Sequence, residues 1–151
     1  MAVTKKTTTV AKKTTTAAKK TTTAAKKTST SSSSSLTVSG NKKLSTFQRD
    51  FNKAFPYLGI LFYNRNGVEL KGDRTFASIA GSAPGGSISV APNKRIGNLE
   101  ADFLKNFNIK VQIFWTSRNS GRVLTSHTDD MTLAKLNSLC EKDGEIKGVW
   151  K

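Results

Sequence analysis

What most limits how this chain can fold is a duplication in its C-terminal two-thirds. Set LSTFQRDFNKAFPYLGILFY (44–63) over IGNLEADFLKNFNIKVQIFW (96–115), a shift of 52 residues, and the two agree in residue type along their length. Leu44 falls on Ile96, Phe47 on Leu99, Asp50 on Asp102, Phe51 on Phe103, Lys53 on Lys105 and Phe55 on Phe107. Further on, Leu61 meets Ile113, Phe62 meets Phe114 and Tyr63 meets Trp115. With small insertions, RNG (65–67) answers RNSG (118–121) and TFASI (75–79) answers TLAKL (132–136). About 50 residues per copy is marginal for independent folding, so one joint core is expected. The pattern is compatible with one continuous sheet shared by the copies and with two small lobes.

Each copy reads alike. Apolar residues at 44, 47, 51 and 55, and at 96, 99, 103 and 107, recur at helical spacing, so the phenylalanine stripe is core. Ser45 and Asn98 are expected caps, Pro56 ends the first helix and Asn108 the second. YLGILFY and IKVQIFW are strands by β-branched and aromatic content. NRNG and SRNSG then turn the chain into return strands over 68–71 and 122–126. Thr75 opens a short helix, and Asp130 caps one from Met131 to Lys142. SISVA (87–91) and EIKGVW (145–150) complete the set as strands. The unit is thus helix–hairpin–helix–strand, copy 1 over 44–91 and copy 2 over 96–150. The class is α+β, with helices on a mixed or antiparallel sheet. This folded part, 42–151, is similar to small uncharacterised duplicated domains encoded in bacterial and phage genomes, a resemblance that carries no activity with it.

A different repeat precedes it. TKKTTTV, AKKTTTA, AKKTTTA and AKKTSTS run from Thr4 to Ser31. Up to Lys43 there are ten lysines and no Asp or Glu: Lys5, Lys6, Lys12, Lys13, Lys19, Lys20, Lys26, Lys27, Lys42 and Lys43. That segment holds +10 of the net +15; from Leu44 onward 15 Lys and Arg against 10 Asp and Glu leave +5. The seven-residue period does not make a coiled coil, because the seam positions carry only Thr, Lys and Ala. Repelling lysine pairs and a serine-rich linker make residues 1–41 a disordered basic tail by expectation. Charge so placed points to polyanions, nucleic acid before an anionic membrane surface. Lysines beside phosphates release counterions, and eight of them would give a log–log salt slope of roughly −7 on duplex DNA. Lacking arginine's fork, they have no means of reading sequence. The Ala/Thr/Lys repeat (4–31) resembles the lysine-rich tails of linker histones and bacterial histone-like proteins, which implies DNA more than RNA as partner.

Chemistry is sparse elsewhere. One His and one Cys cannot furnish an ordinary zinc site or a disulfide. His127 sits in a turn, SHTDDMT, and Cys140 on a helix without a cationic niche. GSAPGGS (81–87) has no following GK[ST] and leads into a strand, so it is a loop and not a phosphate cradle. No enzyme and no cofactor are expected. No apolar run is long enough to span a membrane, MAVTKK is not a signal peptide, and the tail has no apolar anchor to follow its lysines into lipid. The expected location is the cytoplasm or nucleoid, or the inside of a virion.

In the folded part the candidate contacts are Arg65 and Arg118 at the hairpin tips, Arg122 on a return strand and the NKR of 93–95. Tyr63 and Trp115 stand just before the tips, and stacking on such aromatics contributes roughly 1–3 kcal/mol per base. The function these features suggest is sequence-independent binding, compaction or tethering of nucleic acid, with the folded domain as anchor. The alternative is a structural virion protein whose domain docks on a shell or partner while the tail meets packaged genome.

Overall fold

A strand that the serine run conceals begins the fold. The computed structural model describes residues 35–125 and 127–148; the lysine repeats, and Val149 and Trp150 of the expected last strand, lie outside these. The elements are β1 (Leu36–Ser39), α1 (Leu44–Ala54), β2 (Gly59–Tyr63), α2 (Phe76–Ala80), β3 (Ser87–Val90), α3 (Ile96–Phe107), β4 (Lys110–Ser117), β5 (Gly121–Leu124) and α4 (Leu133–Lys142). β1 pairs with β3, and β2, β4 and β5 form a second sheet in that order, every pairing antiparallel. The class is α+β, and the copies share both sheets.

The expected tail therefore stops short of Leu36. LTVS alternates apolar and polar, and Val38 is fully buried. LTVSGNKKL (36–44) and ISVAPNKRI (88–96) are one motif at the same shift of 52. SISVA therefore opens copy 2 and does not close copy 1, and the unit is strand–helix–strand–return–helix. The shift takes Leu36 to Ile88 and Val38 to Val90, while the observed partners are Leu36 with Val90 and Val38 with Ile88. β1 and β3 thus pair across an approximate two-fold axis, with the equivalent residues Thr37 and Ser89 face to face.

The same axis passes through the second sheet, with one correction to the expected alignment. Core positions are Leu58, just before β2, and Ile60 and Phe62 on it; on β4 they are Val111 and Ile113, with Trp115 packed alongside. The side-chain period of two makes Ile60 equivalent to Ile113, which is its cross-strand partner, and Phe62 equivalent to Trp115. The strands are thus offset by 53 and not 52, so Tyr63 does not correspond to Trp115. The cause is at the helix ends. Pro56 follows α1 closely, whereas α3 runs one residue longer to a left-handed Asn108 (φ 58°), whose N–H is held by the Leu104 carbonyl.

The junctions between helices repeat faithfully. Leu44 N–H donates to Arg74 O (2.9 Å) and Phe76 N–H to Lys42 O (3.1 Å); in copy 2, Ile96 N–H donates to Met131 O (3.0 Å) and Leu133 N–H to Lys94 O (3.1 Å). Thr75 and Thr132 cap α2 and α4 by accepting from Ser78 and Lys135 N–H. Asp130 is not the cap: it stands fully exposed two residues earlier. Ser45 and Asn98 do not cap either, since Lys43 and Arg95 hold those positions and make no side-chain capping bond to the helix. The first return strand shrinks to a bridge between Tyr63 and Glu69, with Leu70 N–H on Phe62 O at 2.7 Å. Residues 145–148 do not form the expected strand; Gly144 (φ 68°) and Gly148 (φ 77°) bend this stretch, which is tied by Ile146 N–H to Thr116 O at 3.0 Å.

Phenylalanines of both copies meet in one core. Phe47 lies 5.7 Å from Phe103 and 5.9 Å from Phe76, and Phe62 stands nearly edge-on to Phe76 at 5.3 Å. All are fully buried.

Candidate nucleic-acid interface

The eight repeat lysines, Lys5 to Lys27, lie outside the described residues. What the structure does place is the cation-bearing loop before each long helix. Lys42 pairs with Asp50 at 2.9 Å, and its equivalent Lys94 pairs with Asp102. Lys43 lies 3.4 Å from Asp73, and its equivalent Arg95 lies 3.9 Å from Asp130. The Ser45 hydroxyl donates to Asp73 at 2.6 Å and, with Lys43, holds that carboxyl below its usual range. Such exposed pairs contribute little to stability. Their consequence is electrostatic: NKK and NKR are internally compensated, and NKR (93–95) does not present a bare cation pair.

The hairpin arginines do not converge. β4 runs antiparallel to β2, so Tyr63 pairs with Lys110 at the start of β4, while the Arg118 turn lies beyond Ser117 at its end. Eight residues of strand separate the tips by roughly 24 Å. The two-fold relation requires this, because equivalent hairpins must point opposite ways. Arg65 donates through Nε to Asn108 Oδ1. Arg118 N–H donates to Glu145 at 3.1 Å. Arg122 lies 4.7 Å above the Phe114 ring, a cation–π contact on the β5 side. Trp115 is half-buried against the core and is not a free stacking platform. Tyr63, also half-buried, borders a cleft.

That cleft was not legible as a site in the sequence. It lies between α3 and the start of β4, with a volume of about 650 Å³. Gly97, Glu100 and Asp129 line it together with Leu104, Lys110 and Tyr63. Asp129 reaches α3 because residue 97 is glycine: a Cβ there would come 3.2 Å from that of Asp129, whose carbonyl accepts from Gly97 N–H at 3.0 Å. The matching position over α1 is a smaller cleft of about 340 Å³, lined by Ser45, Gln48, Arg49, Asn52 and Lys53.

The clefts differ in how the strand edge is closed. The Ile60 carbonyl accepts from Gln48 Nε2 (3.0 Å), Phe62 O from Leu70 N–H (2.7 Å), and Ile113 O from Thr125 N–H (3.1 Å) and Oγ1 (2.8 Å). These residues, and with them Val111 opposite Phe62, turn their peptide groups away from the β2–β4 seam. Over copy 1, Asn52 Nδ2 also donates to Leu58 O at 3.1 Å, so two side-chain amides seal the edge. Over copy 2 their places are taken by Glu100, which accepts from Ile113 N–H, and Leu104, which cannot hydrogen-bond, so the Val111 carbonyl has no counterpart of the Asn52 amide. β5 pairs only with Phe114–Ser117, so among the described residues no strand flanks Val111 on that side. The signal that could have revealed this is the internal comparison: Gln48 against Glu100, and Asn52 against Leu104.

Burial, and then Asp129, push the Glu100 carboxyl up to about 7, against a backbone hydrogen bond from Ile113. A folded-state value above the usual 4.5 means that the folded chain holds this proton more tightly than the unfolded chain does. Stability contributed by the protonated form is full below about pH 4.5 and lost as pH rises through about 7. With the shift discounted for solvent in the open cleft, Glu100→Gln should stabilise the fold by about 1–2 kcal/mol near pH 8 and leave it unchanged near pH 4. Urea unfolding at the two pH values measures this, and an equal change at both would contradict it.

His127 is exposed in a turn, and Cys140 is 3% exposed with its thiol pushed up to about 11, by burial first and then by Glu145 and Asp143. Among the described residues no group of three or more His, Cys, Asp or Glu could hold a metal ion, and no helix is long and apolar enough to cross a membrane. Comparison with protein-family models, curated proteins and solved structures finds no match.

Proposed function

We propose that this protein binds nucleic acid, duplex DNA foremost, without reading its sequence, and compacts or tethers it through the lysine repeats, the duplicated domain serving as anchor. One observation carries the reading: where the positive charge is left uncompensated. The loop cations Lys42, Lys43, Lys94 and Arg95 have acidic partners. The eight repeat lysines have none nearby in sequence, since the first acid in the chain is Asp50. Phosphates brought to those lysines displace condensed counterions, and the entropy gained is indifferent to base sequence.

The test compares the whole chain with one beginning at Ser31, which keeps β1 and removes the repeats. At low salt the shortened chain should bind a random-sequence duplex at least about a hundredfold more weakly. Equal affinities would remove the repeats from the mechanism.

A further inference from the structure

The duplication offers two equivalent strand edges: one is sealed by side-chain amides at Leu58 and Ile60, and the other is closed at Ile113 by Thr125 and Glu100 but open at Val111. At the open edge the Val111 peptide offers one N–H and one carbonyl, side by side. Glu100, held at Ile113, and Asp129, against Gly97, add acceptors, Lys110 at the start of β4 adds a cation, and Ala101, Leu104 and Tyr63 form apolar or flat walls. A volume of about 650 Å³ is in the range of small-molecule sites, roughly 300–1,000 Å³. A fitting ligand is flat, carries an N–H₂ group beside a ring-nitrogen acceptor, and has an anion at its far end.

We propose that this cleft binds one unpaired cytosine or adenine nucleotide of single-stranded nucleic acid. The ring nitrogen accepts from Val111 N–H. One amino hydrogen goes to the Val111 carbonyl and the other to Glu100, and the phosphate meets Lys110. Splayed-out bases are read in this way on their pairing edges. Uracil is rejected because it has a single N–H flanked by two carbonyl oxygens, one of which would face the carboxylate. The choice of nucleotides as ligand rests on the nucleic-acid reading above, but the site is separate from the repeats and selects by base, which they cannot do.

The experiment titrates the full chain with cytidine, adenosine and uridine monophosphates at pH 8, where Glu100 is ionised, and at about half-molar salt, where the lysines are screened. Calorimetry and the Val111 amide resonance follow binding. The same titrations are run on Glu100→Gln/Leu104→Asn, in which Leu104→Asn supplies a donor for the Val111 carbonyl, as Asn52 does for Leu58, and Glu100→Gln removes the carboxylate. The expected result is binding of the cytidine and adenosine nucleotides at least tenfold tighter than the uridine one, lost in the double variant. Equal binding of all three, no binding of any, or a base preference that survives in the double variant would each overturn the proposal. Low-salt affinity for duplex DNA is measured on the same samples. If it persists while base selection fails, the cleft assignment alone falls; if it is absent, the role of the repeats falls.

Discussion

A chain shortened to begin at Lys42 should not fold, whereas one beginning at Ser31 should be as stable as the whole. The difference is β1. Val38 is fully buried, and the strand covers Ile88 and Val90 of β3, which are 2% and 0% exposed. Losing or exposing these three side chains removes roughly 4.5–9 kcal/mol at about 1.5–3 kcal/mol each, comparable with the whole stability of a small domain. β3 would have no strand partner, and the Gly40 carbonyl that accepts from Ala77 N–H at 2.8 Å would be gone. Circular dichroism and thermal unfolding of the two shortened chains measure the difference. A cooperative transition near that of the whole chain for the Lys42 start would contradict the intertwined arrangement. The result also governs how the repeats can be studied, because a cut at Lys42 would destroy the anchor along with the tail.

The helices were legible because their signal is strong and local. Phe47, Phe51, Phe103 and Phe107 fall at helical spacing, and all four are buried in the shared core. The strand pairing was less so. β1 offers four residues after a run of serines, so composition concealed an alternation that only its likeness to ISVA reveals. The one-residue slip between Tyr63 and Trp115 was hidden because both copies end in three bulky residues, LFY and IFW, which align in type at either register. Only burial separates them: Phe62 and Trp115 face the core, and Tyr63 faces the cleft. The arginine tips were found correctly as tips, but their separation follows from the two-fold axis, a property of pairing and not of any one segment. The cleft was missed because its informative feature is a loss. Gln48 and Asn52 read as ordinary surface amides until their hydrogen bonds to Ile60 and Leu58 show what Leu104 leaves undone at Val111.

The repeats give the largest effect of all. If eight lysines neutralise phosphates, raising salt from about 50 to 200 mM should weaken duplex binding by roughly four orders of magnitude. Replacing all eight by glutamine changes no residue of the described domain and should abolish most of that dependence. The most direct measurement is therefore the affinity of the full chain for one duplex across a salt series, plotted as log against log beside the eight-glutamine variant. The account predicts a slope of roughly −7 for the native chain and a slope near zero to −2 for the variant. Indistinguishable slopes, or tight native binding unmoved by salt, would contradict it.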